Sequence, residues 1–291
     1  MSIVVTGATG HLGRLVIDEL LAGAGTEAGV PADRVVAVVR DAEKASDIAA
    51  RGVELRVADY SAPDTLKAAF EEGDVVLLIS GSEVGQRVAQ HTAVIDAAKE
   101  AGVARLVYTG ILGGPKADIA LADEHKATEQ ALLDSGLTHT LLRNGWYTEN
   151  YTAQIPVHLE HGVVGSAGEG RVGTATRRDF AAAAAAVLTG EGHENKTYEL
   201  SGDHAWTLAE YAAELSRQSG RTVTYTDLPE AAFAEALVGA GLPAPVAALY
   251  ADCDANGIAA GQLEGGSGDL SRLIGRPTTP LADTIAEALQ G

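Results

Sequence analysis

Thr6-Gly7-Ala8-Thr9-Gly10-His11-Leu12-Gly13 follows the apolar run Ile3–Thr6 directly and opens the amphipathic segment Leu12–Leu21. A short β-branched run, a glycine-rich turn and a helix in that order make the first crossover of a parallel α/β sheet. Gly7 permits the tight turn, Gly10 lets backbone approach a pyrophosphate, and Gly13 lets the helix sit close to the sheet. The N–H groups at the helix start then face the anion. Thr6, Ala8, Thr9, His11 and Leu12 complete this candidate dinucleotide-binding turn. The spacing is GxxGxxG rather than GxGxxG, and a glycine turn without a ligand is the alternative reading.

Outward from the turn, Val35–Val39, Glu54–Val57, Val75–Ile79, Arg105–Thr109 and Thr138–Leu142 read as further strands. Between them Ala42–Ala50, Pro63–Phe70, Val84–Ala101 and Ala122–Ser135 carry apolar residues near helical spacing. The alternation predicts an α/β fold, a Rossmann-type doubly wound parallel sheet covered on both faces. After Arg143 the rhythm changes. Phe180–Leu188, Thr207–Ser219, Pro229–Ala240 and Leu281–Leu289 read as helices, with Thr197–Leu200 and Thr222–Tyr225 as short strands. The expected organisation is a nucleotide-binding domain over residues 1–150 and a smaller α/β substrate-binding region over 151–291, intertwined with it. The glycine-rich joints Gly162–Gly173 and Gly257–Gly268 read as mobile loops.

At 291 residues, 46% of them hydrophobic and spread in short runs, the chain can bury a sizeable core. A formal charge of −19 repels phosphate backbones and anionic membranes, so neither nucleic acid nor membrane is an expected partner. Arg177-Arg178 and Arg217/Arg221 read as solvated positions. The single cysteine, Cys253, excludes an internal disulfide and reads as packing. Met1 leads straight into a strand, so a cytoplasmic protein is expected. Apolar helical faces permit a homodimer without requiring one.

The second strand ends in Arg40, where an NAD-selecting protein carries an acidic residue for the ribose 2′-hydroxyl. A cation there suits a 2′-phosphate, with Lys44 and Arg14 as further charges, so NADPH is the expected cofactor and NADH the lesser one. A surface arginine paired with a carboxylate is the alternative. Asp59, after the third strand, is placed to reach an adenine edge. Ser80, Gly81 and Ser82 follow the fourth strand at the crevice where such sheets bind ligands. Ser82 also suits a helix cap. The eight histidines show no metal-ligand spacing, and no flavin motif stands beyond the shared turn, so neither metal nor flavin is expected.

Through Gly7–Gly13, Val39-Arg40, Ile79–Arg87, Leu121-Ala122-Asp123-Glu124-His125 and Leu142–Asn150, the chain resembles the NmrA-like group of atypical short-chain dehydrogenases/reductases. Within that group it is similar to bacterial NADPH-dependent quinone oxidoreductases and, in much of its framework, to triphenylmethane dye reductases. It departs from ordinary short-chain dehydrogenases in lacking the Tyr-x-x-x-Lys pair. Leu121 and His125 stand there when Glu129 sets the register, and leucine donates no proton.

His125, with an ordinary pKa near neutrality, then becomes the candidate to hold the nicotinamide ribose or supply a proton. A helix histidine in a polar contact is the alternative. Asn144 and Tyr147 are the other catalytic candidates, placed toward the nicotinamide end and a substrate carbonyl. Trp146, Tyr147 and Asn150 are the candidate substrate wall, against simple core packing, and Thr109 stands where the family places an active-site hydroxyl. The resemblance implies direct hydride transfer from NADPH to a quinone or similar electron-poor aromatic acceptor. Such an acceptor needs little acid catalysis, because hydride addition yields a hydroquinone anion that solvent protonates. The missing pair leaves open a redox sensor that binds NADP(H) without turnover and signals to a protein partner. A reductase of dyes or imines shares the mechanism.

Overall fold

The computed structural model describes residues 1–23 and 29–290. β1 (Ile3–Val5) lies between β2 (Val35–Val39) and β4 (Val75–Leu78), pairing Ile3 with Val35 on one side and Val75 on the other. β3 (Glu54–Val57) forms one edge, and β5 (Arg105–Ile111), β6 (His139–Asn144) and β8 (Lys196–Leu200) extend the other side. The order is β3-β2-β1-β4-β5-β6-β8, with every pairing parallel. The strand order reverses between β1 and β4, and ligands of such sheets sit above that point.

Alternate strand residues feed two cores, as a period of two dictates. Ile3, Val5, Val35, Ala37 and Leu77 pack with α1 (His11–Ala22) and the alanine-rich α8 (Arg177–Thr189). Val4, Val36, Val76 and Leu78 pack on the opposite face with α4 (Arg87–Ala101) and α5 (Ala122–Ser135). The alanines of α8 let it approach α1 closely. Thr176 caps α8, accepting from the Asp179 N–H. Asp179, fully buried, then ties down the chain end through Arg276 and the Thr279 N–H.

Several predicted boundaries move. Ala42–Ala50 contains only a 3₁₀ turn and the one-turn α2 (Ser46–Ala49). The predicted Pro63–Phe70 helix stops as α3 (Pro63–Leu66), where the chain turns to seat Ala69 and Phe70 in the core. α4 begins at Arg87 rather than Val84, because Gly85 adopts φ +84° before it, and Ser82 caps nothing. β6 runs two residues past its predicted end, so Asn144 terminates the strand. The expected strand at Thr222–Tyr225 is instead β9 (Tyr225–Asp227), since the Val223 N–H and C=O both bond the Ser216 hydroxyl.

In the second half, α6 (Glu149–Thr152) and α7 (Ile155–His161) lead to β7 (Val163–Gly165), which pairs with β9. α9 (Leu208–Ser219), opened by a Thr207/Glu210 capping box, and α13 (Leu281–Ala288) complete a core around Trp206 and Tyr211. α10 (Glu230–Gly239) and α11 (Ala244–Asp252) form a hairpin, and α12 (Asp269–Ile274) packs on α8. The two glycine-rich joints are packed against each other, not open loops. A Cβ on Gly170 would stand 2.4 Å from the Ile258 carbonyl oxygen, and one on Gly173 2.2 Å from that of Glu264. Close backbone approach, rather than freedom, is what these glycines supply. Among the described residues no helix is long and apolar enough to cross a membrane.

Candidate active-site cleft

A single cleft of about 760 Å³ runs across the carboxyl ends of the strands, from the glycine turn to α11. At the turn, Gly7 adopts φ +59°, and a Cβ on Gly13 would lie 2.4 Å from the Gly7 carbonyl oxygen. α1 is preceded by Gly10, which offers no side-chain cap, and carries no acidic residue in its first turn. Its first N–H groups are therefore left for an anion. Gly7, Thr9, Gly10, His11, Leu12 and Gly13 line the cleft, whereas Thr6 and Ala8 are buried beneath it. The Thr6 hydroxyl donates to the Leu77 carbonyl at 2.9 Å and accepts from the Ile79 N–H and the Tyr60 hydroxyl, stapling β1 to β4.

Arg40 lines the cleft mouth with its side chain 71% exposed, 3.4 Å from Glu83. An exposed pair of this kind is weak. Lys44 lies outside the cleft lining, within 4.0 Å of Asp41. Arg14 is committed elsewhere, to the Thr9 and Lys44 carbonyls and to Asp47, whose carboxyl it holds below its usual range. Asp59 lines the cleft beside Tyr60, its carboxylate accepting from the Ser61 N–H.

The loop after β4 is clamped on every side. The Ser80 N–H donates to Thr109 Oγ1 at 3.0 Å, and the Gly81 N–H donates to His91 Nε2 at 3.0 Å. Arg87 Nε donates to the Gly81 carbonyl at 2.7 Å, and Glu124 accepts the Gly85 and Arg87 N–H groups. Because His91 Nε2 accepts, its one proton sits on Nδ1 and is donated to Thr128 Oγ1, whose own hydroxyl donates to the Glu124 carbonyl. Burial, with Arg87 second, pushes His91 down to about 4, consistent with that neutral form.

His125 lines the middle of the cleft yet is only 8% exposed, with Nδ1 2.7 Å from the Tyr108 hydroxyl. Burial first, then Arg87 and His91, push it down to about 3. Burial thus favours its neutral imidazole at neutral pH.

Asn144, Trp146, Tyr147 and Asn150 meet at the far end. Asn144 Oδ1 is buried and accepts no hydrogen bond among the described residues, beside the Tyr147 phenol. Phe180 meets Tyr147 edge-on at 5.3 Å, and the Arg177 guanidinium lies 4.6 Å from the Tyr147 ring centre. Burial raises the Tyr147 phenol, so it stays protonated. Arg177, read from sequence as solvated, also donates to Asn150 Oδ1 at 3.2 Å. Val246, Leu249 and Tyr250, which the sequence reading did not name, wall the far end from one face of α11, and Cys253, read from sequence as packing, joins them just past the helix end at spacing i, i+3, i+4, i+7. Tyr250 meets Trp146 edge-on at 6.4 Å. Burial, then Asp252 and Asp254, push the Cys253 thiol up to about 12. That spacing was the available signal. Among the described residues no group of three His, Cys, Asp or Glu is arranged to hold a metal ion.

Fold and cleft together define a dinucleotide-binding protein of the Rossmann class. The NAD(P)H-binding family profile matches residues 7–191. Quinone oxidoreductase 2 of Escherichia coli is 51% identical over 285 residues, covering 98% of this chain and 97% of that protein. The crystal structure of an Escherichia coli NADPH-dependent quinone oxidoreductase complexed with NADPH superposes with a TM-score of 0.94 at 50% identity, covering 99% of each chain. That of Citrobacter sp. triphenylmethane reductase complexed with NADP(H) gives 0.92 at 41%, covering 99% of this chain and all of the other. The chain belongs to the NAD(P)H-binding family, among the oxidoreductases that its motifs resemble.

Proposed function

We propose that the chain is an NADPH-dependent reductase that transfers hydride directly to a quinone or a similar electron-poor aromatic acceptor. The observation that carries this reading is the continuity of the cleft, which joins the glycine turn and Arg40 to Trp146, Tyr147 and Tyr250 in one space. Its volume and largely apolar far end suit a cofactor and a flat acceptor together.

The turn residues Gly7, Gly10 and Gly13 hold the pyrophosphate, and Arg40 meets the 2′-phosphate. Ser80, Gly81, Thr109 and His125 flank the path toward the nicotinamide end. NADPH, bound there, supplies the hydride. Asn144 Oδ1 offers the unpartnered acceptor for an amide or hydroxyl donor. The protonated Tyr147 phenol orients an acceptor oxygen, and α11 with Trp146 excludes water from the transfer. The second half of the chain completes the site by contributing Arg177 and α11.

Anaerobic NADPH oxidation by flavin-free protein, with simple quinones, a triphenylmethane dye and an imine as acceptors and NADH as the control, tests this. Saturable turnover favouring NADPH and quinones is expected. Tight NADPH binding with no turnover on any acceptor instead assigns a redox sensor.

A further inference from the structure

We propose that Tyr108 is a positioning residue for the acceptor site: its hydroxyl donates to His125 Nδ1 and fixes His125 as the Nε2–H tautomer, presenting a neutral N–H donor to the cleft. The inference rests on the reductase reading of the cleft and assigns a residue that lies outside its lining. Tyr108 is fully buried on β5, one residue before Thr109. Its oxygen stands 2.7 Å from His125 Nδ1, which is within the range of a strong bond.

The direction of that bond follows from its surroundings. A neutral imidazole carries one proton, and which nitrogen keeps it depends on the partner of the other. A phenol is a better donor than acceptor, and an unprotonated imidazole nitrogen is a better acceptor than a phenol oxygen. The alternative donor routes are closed nearby: the Thr128 hydroxyl accepts from His91 Nδ1–H and donates to the Glu124 carbonyl. The Thr128 and Ser80 hydroxyls lie beside the same phenol oxygen, with the Thr128 proton given to the Glu124 carbonyl and the Ser80 proton to the Gly81 carbonyl. His125 Nε2 makes no hydrogen bond among the described residues, and it is not among the sealed, unpartnered buried atoms. Its N–H therefore opens on the cleft, where a ribose hydroxyl or the acceptor's carbonyl oxygen can receive it. The arrangement holds a donor in place without a charge, so the site stays neutral as negative charge develops on the acceptor oxygen.

The test is ¹⁵N NMR of the NADPH-bound, histidine-labelled protein, with His125→Gln assigning the His125 signals by their loss. Wild type is expected to show Nε2 protonated and Nδ1 bare. In Tyr108→Phe the two tautomers are expected to mix, and kcat for quinone falls about tenfold while the NADPH Kd is unchanged. A proton found on Nδ1 in wild type overturns the proposal, whether or not the variant folds. A mixed tautomer in wild type overturns it equally. Unaltered quinone turnover in His125→Gln, even with the Nε2–H form observed, also overturns Tyr108 as a positioning residue for the acceptor site, while leaving the reductase reading itself intact.

Discussion

Gly13 has no space for a side chain, and the consequence is local to one residue. Overpacking against Gly7 and Ala8 predicts that Gly13→Ala costs about 1–3 kcal/mol of stability and weakens NADPH binding at least about tenfold. Thermal melts with and without NADPH, beside a fluorescence titration, check both. Arg40 makes the opposite kind of prediction, because its exposed pair with Glu83 contributes little to folding. Arg40→Asp should leave the melting temperature within error and lower kcat/KM for NADPH by about 10–100-fold, with NADH far less affected. Equal losses for both cofactors would remove Arg40 from the 2′-phosphate. The place of Arg40 at the cleft mouth was legible because it follows directly on the second strand. Arg177 was not, because its partners, Tyr147, Glu149 and Asn150, lie 27 to 30 residues away in sequence and only the fold brings them under it.

At the scale of elements, the strand–helix rhythm of the first half announced the sheet, since β-branched runs and helical spacing are local properties. The sequence could not reveal that the edge strand β8 closes the same sheet from residue 196, a pairing made with β6 across some fifty residues. α11 escaped notice for another reason: it starts after a proline and is apolar on several sides, so no polar face marks its boundaries. Its role predicts that Leu249→Asp raises KM for quinone about tenfold with the NADPH Kd unchanged, a split that steady-state kinetics and a binding titration resolve. The two glycine-rich joints misled because glycine serves both mobility and close approach, and the sequence does not distinguish them. The α1–α8 contact makes a packing prediction: Ala183→Leu on the buried face should cost about 1–3 kcal/mol in denaturant unfolding.

Across the whole molecule, the buried His91 and His125 and the half-buried His158 make stability respond to acid. His91 and His158 are pushed down to about 4 and His125 to about 3, from an ordinary 6.5. Each binds its proton more readily when the chain is unfolded, so its stabilisation is complete above pH 6.5 and is lost as pH falls toward 4 and 3. Asp254, raised by burial to about 6 from 3.8, works in the opposite direction between those values. These histidines, with His193 also lowered by burial, outnumber Asp254 and predict a lower melting temperature at pH 5 than at pH 7, and a rise instead would remove the histidines as the controlling groups. The cleft works as a unit in the proposed reaction, cofactor and acceptor meeting there without an intermediary. Its most direct test is a single-turnover mixing of flavin-free protein, loaded with NADPH deuterated at the transferred position, against a simple quinone under anaerobic conditions. Direct transfer predicts oxidation of the bound NADPH in one phase that slows on deuteration, with the label no longer on the cofactor. Bound NADPH that stays reduced through excess quinone would contradict it.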